Sequence, residues 1–326
     1  MKILVIGSGV IGTTYGWQLS IQGNELTHFI RGVSAEEVEK NGIPVRCLDL
    51  RGFREREILT VYRPGIVKEI PQRHDYELII VPVNSHQLAG VLPLVKSRAG
   101  TATIMVLQNI RPGDEDLIAR HLEGTQFLIG YPFMTGGGRD EKGIDTVIFG
   151  NFLSNTKLGE SGGKISPHLR AVAKVLGDAG MKPRITRRII TYVRTHYVWA
   201  AASLGAFAKA GSWDAFTGSP SLIRESYLAM REGFRACRTK GMIPWSVSPT
   251  WMFYLPLFLL VPFTMFMYRN EAMRRMFEGH VAHSPEEMRV MYGDVLEEGR
   301  TAGVPMPVYE GFSGYVENLL NNKTVL

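Results

Sequence analysis

The sequence predicts an α/β Rossmann-like N-terminal domain followed by an all-α C-terminal domain, and three observations carry that prediction. The chain opens on a short apolar run that leads straight into a glycine fingerprint. Apolar runs of strand length recur up to about residue 160, and from about residue 188 the pattern turns helical. With 326 residues the chain is long enough for two domains, expected at 1–187 (Rossmann-like) and 188–326 (helical).

Ile3 to Ile6 form a continuous apolar run, as a strand buried on both faces requires. Gly7-Ser8-Gly9-Val10-Ile11-Gly12 follows at once and fits G-x-G-x-x-G, and helix-compatible sequence then runs to Gly23. In such a motif Gly7 permits the tight turn, Gly9 lets a pyrophosphate approach the backbone, and Gly12 lets the helix pack closely on the sheet. The helix start supplies free N–H groups and a positive dipole end for phosphates. Nineteen residues beyond Gly12, at the end of the next strand, stands Arg31. NAD sites place an acidic residue near that position, whereas an arginine suits the 2′-phosphate of NADP, so NADP is the expected cofactor.

The runs "YELIIVPV" (76–83) and "TATIMVLQ" (101–108) read as buried strands. Their polar ends, Asn84-Ser85-His86-Gln87 and Gln108-Asn109, fall where an open parallel sheet binds its ligand, outside the carboxyl ends of the strands. Asn84 and Ser85 are equally good helix caps. "FLIGYPF", "TVIFG" and "TKLGE" continue the strand character, and a helix is expected near 188–210.

Composition narrows the function classes. A net charge of +6 favours an anionic partner, and the basic residues are dispersed without stacking aromatics, so a small anionic ligand is expected rather than nucleic acid. Two cysteines give no disulfide framework and suit a reducing, cytoplasmic setting. The stretch 251–268 runs for 18 residues without a charge, but Pro256 and Pro262 interrupt it. It is read as buried or interface helices rather than a membrane span, with a homodimer as one use for them. His280 and His283, with Glu278 and Glu287 nearby, lack a full zinc motif, and no metal is expected.

The fingerprint with Arg31, "IIVPVNSHQ", "MVLQNI" and the late "AGVPMP" occur in the order and approximate spacing of one family. The chain resembles the ketopantoate reductases (2-dehydropantoate 2-reductases), over nearly its whole length except about 240–280. The resemblance implies a Rossmann domain, a helical second domain, NADPH, and reduction of a 2-oxo acid between them, as in pantothenate biosynthesis. It makes Asn84, Gln87, Gln108 and Asn109 cofactor contacts, with Asn84 standing where the family commonly has lysine. Anchored on "AGVPMP", it aligns Glu287 with a substrate-binding glutamate. It also sets Arg274 and Arg275 where the family has two serines, giving cations for a substrate carboxylate.

The chain departs from the family most in "VRTHYVWAAASLG" (193–205). The family's helix there reads W-x-K-x3-N-x3-N, with the lysine as general acid. Residues four apart share a helix face, and here that face becomes Thr195, Trp199 and Ser203. Thr195 can donate a hydrogen bond but is no ordinary acid near pH 7. His196, adjacent in sequence, titrates in the right range. Arg194 can bind a carboxylate but not release a proton. The sequence therefore points to an NADPH-dependent reductase of a 2-oxo acid, with Thr195, His196 and Glu287 as catalytic candidates and Trp199, Ser203, Arg274 and Arg275 around the substrate. The alternative is an NADP-binding sensor or partner-binding protein with impaired catalysis.

Overall fold

The five residues Lys2–Ile6 organise the first half of the protein, because an apolar strand this short is satisfied only with hydrogen-bonded neighbours on both edges. A computed structural model gives the fold over residues 1–151, 153–283 and 285–321, with the side chains of 33, 280, 282, 283, 285 and 320 left aside. The chain divides into two compact units, Met1–Asn109 with Asp114–Ile189, and Ile110–Gly113 with Ile190–Leu326.

The first unit runs β1 (Lys2–Ile6), α1 (Val10–Ile21), β2 (Glu25–Phe29), α2 (Val33–Asn41), β3 (Ile43–Asp49), β4 (Arg56–Tyr62) and β5 (Gly65–Val67). It continues through β6 (Leu78–Val81), α3 (Ser85–Ser97), β7 (Thr103–Leu107), α4 (Asp114–His121), β8 (Gln126–Pro132) and β9 (Thr135–Asp140). It ends with β10 (Gly143–Ile148), β11 (Thr156–Gly159), α5 (Pro167–Asp178) and β12 (Pro183–Ile185).

Eight of these strands form one sheet in the order β12-β11-β8-β7-β6-β1-β2-β5, parallel except where β11 meets β8. β1 pairs in parallel with both β2 and β6, so the chain reverses its direction of growth between β1 and β6. That reversal opens a crevice at the carboxyl ends of the two strands, where sheets of this kind take their ligands. Ile3, Leu4, Val5, Leu78, Ile79, Ile80, Ile104, Met105 and Val106 are all fully buried, as strands covered on both faces must be.

A second sheet is ordered β4-β3-β10-β9, and of its strands only β10 is expected from the sequence, through "TVIFG". It packs on α1. There a line of buried hydroxyls joins the two layers, with Thr14 3.1 Å from Thr146 and Thr146 3.1 Å from Thr135.

The second unit is helical: α6 (Ile189–Ala210), α7 (Trp213–Thr217), α8 (Pro220–Thr239), α9 (Leu257–Tyr268), α10 (Glu271–His283), α11 (Pro285–Thr301), α12 (Pro307–Glu310) and α13 (Ser313–Asn321). Its core is aromatic and aliphatic, built around Phe207, Phe216, Phe234, Tyr309 and Phe312. Segment Ile110–Gly113 belongs to this unit, and Arg111 forks onto Asp294 at 2.8 and 2.9 Å while the Tyr197 hydroxyl donates to the same carboxylate at 2.7 Å.

The uncharged stretch 251–268 becomes a short 3₁₀ turn, Thr250–Tyr254, followed by α9. Among the described residues no helix is long and apolar enough to cross a membrane. The expected burial holds for only one side of α9. Leu260, Val261 and Thr264 are buried, while Phe258, Leu259, Pro262, Phe263 and Phe266 form a continuous exposed face without a polar residue.

Candidate dinucleotide-binding site

The glycine loop fills the crevice end of β1. Gly7 has φ +90°, a conformation that costs any residue with a Cβ, and its N–H donates to the Phe29 carbonyl at 2.9 Å. A Cβ on Gly12 would stand 2.8 Å from Pro82 and 3.0 Å from Val5, so glycine is what lets α1 lie against the sheet. Gly9 caps α1 without any side-chain hydrogen bond, and a Cβ there would meet no atom within 4 Å. The first turn of α1 carries no acidic residue. The loop is thus an open cradle of backbone N–H groups at a positive helix end, the shape a pyrophosphate requires. Val10 and Ile11 contribute their backbone to this turn and pack against the core cluster with their side chains.

His28 supports the loop from behind, a role without any signal in the sequence. It is fully buried on β2, with its Nδ1–H donating to the Gly7 carbonyl at 2.7 Å and its Nε2 accepting from the Tyr62 hydroxyl at 3.3 Å. Burial pushes its pKa down to about 4, so the ring is neutral near pH 7. Arg31 stands exposed beyond β2 with its guanidinium 5.9 Å from the Phe29 ring centre. A second arginine near the loop, Arg139 of β9, donates to the Ser8 carbonyl at 3.0 Å.

Across the crevice, Asn84 and Gln87 form a reciprocal capping box at the start of α3, with the Gln87 Oε1 accepting from the Asn84 N–H at 3.3 Å. At the end of β7, Gln108 is 6% exposed, and among the described residues neither atom of its amide meets a hydrogen-bond partner. A buried amide left unsatisfied is costly, which marks the crevice end of β7 as a place built for a polar ligand. Asn109 follows it, half-buried. Open glycine cradle and unsatisfied amide both fit a bound dinucleotide.

The residues expected around a substrate all lie in the helical unit. Thr195 does not present its hydroxyl to an opening. It is fully buried, with Oγ1 2.9 Å from the Thr191 carbonyl, 3.0 Å from that of Tyr192 and 3.1 Å from the Thr250 hydroxyl, which ties α6 to the 3₁₀ turn before α9. Arg194 does bind a carboxylate, but that of Glu298, in a fully buried ion pair whose other oxygen holds Lys240 at 2.8 Å. His196 is half-buried between Tyr192 and Trp199, their ring centres 6.2 and 5.0 Å away, and Trp199 abuts Phe253 in turn. Ser203 is buried beside the Tyr268 hydroxyl. Arg274 is engaged by Glu278 at 3.2 Å and Asp214 at 3.8 Å, Arg275 is half-buried on the same helix, and Glu287 is buried in the first turn of α11. Among the described residues no three His, Cys, Asp or Glu side chains gather as a metal site needs; those of His280 and His283 lie outside the described residues.

Fold and site define a Rossmann-type dinucleotide-binding chain with an appended helical unit. Residues 3–161, just under half of the chain, match the family described as Ketopantoate reductase PanE/ApbA, and the chain is similar to that oxidoreductase family as a divergent relative. The 2-dehydropantoate 2-reductase of Halobacterium salinarum is 25% identical over 57% of this chain. The match spans 58% of that relative, so the chain covers about three fifths of its length. Among solved structures, 2-dehydropantoate 2-reductase from Methylococcus capsulatus superposes with a TM-score of 0.70 at 20% identity, covering 99% of this chain and 98% of that one. A ternary structure of D-mandelate dehydrogenase with NADH and anilino(oxo)acetate gives 0.69 at 16% identity, each chain covered in full. At these identities the solved structures share the fold.

Proposed function

We propose that this protein is an NADPH-dependent reductase of a 2-oxo acid or a related small anionic carbonyl compound, with ketopantoate as the first substrate to try. The observation that carries the reading is the carboxyl edge of the sheet, where an open glycine loop stands at the β1/β6 switch point and the unsatisfied Gln108 amide ends β7, one strand beyond β6. The family supports the reaction class, and the solved relative that holds NADH with a 2-oxo acid analogue supports the pairing of cofactor and substrate type.

In this reading the loop N–H groups and the start of α1 hold the pyrophosphate, and Arg31 binds the 2′-phosphate that distinguishes NADPH from NADH. Gln108 and Asn109 orient the nicotinamide end, and the Asn84–Gln87 box fixes the start of α3 beside it. The bound cofactor supplies the hydride. Arg274 and Arg275 bring positive charge for a substrate carboxylate, Trp199 and Ser203 shape its surroundings, and Glu287 contacts the reacting oxygen. His196 is the proton donor we favour, since imidazole is the side chain suited to acid–base work near neutral pH and Thr195 is committed to the core. Cys47 and Cys237 are buried and not joined in a disulfide, which suits a reducing cytoplasmic setting, and burial raises the Cys237 thiol to about 12.

Calorimetric titration with NADPH and NADH tests the cofactor, and loss of NADPH absorbance against a panel of 2-oxo acids tests the reaction. Preferential NADPH binding with turnover of one member supports the reading; NADPH binding with turnover of none removes it. The core position of Thr195, on the helix where the family resemblance sets the acid, favours a second reading under that outcome, an NADP-binding protein without catalysis.

A further inference from the structure

We propose that Arg139 is a cofactor-binding residue whose guanidinium, anchored on Ser8 of the glycine loop, donates to the bridging pyrophosphate of the dinucleotide. The assignment rests on the reading that a nicotinamide dinucleotide occupies the crevice.

Arg139 reaches the loop by a route fixed in the fold. The hydroxyl line Thr14–Thr146–Thr135 pins the second sheet to α1. Its edge strand β9 runs Thr135-Gly136-Gly137-Gly138-Arg139. Gly137 has φ +151°, and a Cβ there would fall 2.0 Å from the Asp145 carbonyl oxygen, so only glycine lets β9 lie this close to β10. Arg139 therefore leaves a rigid strand at a fixed point. Its Nη1 lies 3.0 Å from the Ser8 carbonyl oxygen and 3.3 Å from the Ser8 hydroxyl, 131 residues away in sequence.

Those contacts use one of three guanidinium nitrogens. Nε and Nη2 carry further donors, and among the described residues no carboxylate is paired with Arg139. Neighbouring Asp140 is taken by Arg46 at 3.0 Å. An exposed cation without a counter-ion thus sits at the positive end of α1, where the first turn holds no acid to offset it. Two like charges are brought together there, an arrangement an anion would relieve. Ser8 lies inside the loop that receives the pyrophosphate, whereas Arg31 stands at the 2′-phosphate position, so the group in reach of Arg139 is the one shared by NADPH and NADH.

The test is calorimetric titration of the full chain with NADPH and with NADH, for wild type, R139Q, R139K and R31A. R139Q is expected to weaken both cofactors by the same factor, about tenfold to a hundredfold, as loss of a charged hydrogen bond does. R139K should recover part of that loss, R31A should weaken NADPH alone, and ligand-free R139Q should melt at or above the wild-type temperature. Wild-type affinity of R139Q for both cofactors overturns the assignment, as does a loss confined to NADPH, which would move Arg139 to the 2′-phosphate. A lowered melting temperature with unchanged affinity would make it a structural residue. A wild type that binds neither dinucleotide removes the functional reading and this assignment together, an outcome distinct from any seen only in the variants.

Discussion

His28 holds the glycine loop through one hydrogen bond, and its burial makes the fold sensitive to acid. Its pKa falls from 6.5 in the unfolded chain to about 4 in the fold. Between those values the unfolded state binds more protons, so the stability it contributes is complete above pH 6.5 and is lost as pH falls through 4. The shift corresponds to about 3 kcal/mol. Urea unfolding of the wild type should lose stability on that order between neutral pH and pH 4, and His28→Gln should flatten the dependence. In the helical unit, Thr195→Val should cost about 1 kcal/mol, the worth of an ordinary hydrogen bond, and leave kcat and KM within a few-fold of wild type. Arg194→Leu leaves the buried Glu298 carboxylate with Lys240 as its remaining cation and should cost about 3 kcal/mol by denaturant unfolding. Arg194, Thr195 and His196 are adjacent in sequence, yet the first is a buried ion pair, the second a core hydroxyl and the third part of an aromatic stack. Their neighbours in space arrive from Glu298, Thr250 and Tyr192, and only the last was within reach of a local pattern.

At the scale of elements, α1 and α9 stand at opposite limits of legibility. α1 and its flanking strands are specified within about thirty residues, because glycine spacing and a continuous apolar run are local signals. α9 is apolar on every side, so periodicity carries no information about which face is buried. Leu260→Ala should therefore cost about 2–5 kcal/mol. Phe258→Ser and Phe266→Ser, on the exposed face, should change unfolding free energy by less than about 0.5 kcal/mol each. Of the second sheet the sequence marks only β10, through "TVIFG"; β3 and β4 carry charges within the strand and β9 has three consecutive glycines, so none of these shows a continuous apolar run. The inward faces of β9 and β10 are covered by α1, which no local window contains.

For the whole molecule, ligand binding and folding are one linked equilibrium. NADPH at a hundred times its dissociation constant should raise unfolding free energy by about 2.7 kcal/mol, and, with Arg31 binding the 2′-phosphate as proposed, NADH at the same concentration should raise it by less. Thermal melts with each cofactor check this.

By itself the sequence determined a glycine-loop Rossmann unit, a helical second half, and the positions at which β1, β6 and β7 end. Each follows from spacings of one to four residues, which the backbone geometry of strand and helix converts directly into faces and turns. Tertiary structure alone decided that Arg139 reaches Ser8, that His28 braces Gly7, and that Thr195 and Arg194 are spent in the core. Whether a polar side chain meets solvent, a ligand or a distant partner depends on which remote segment packs against it. For Arg139 and Ser8 that partner is 131 residues away.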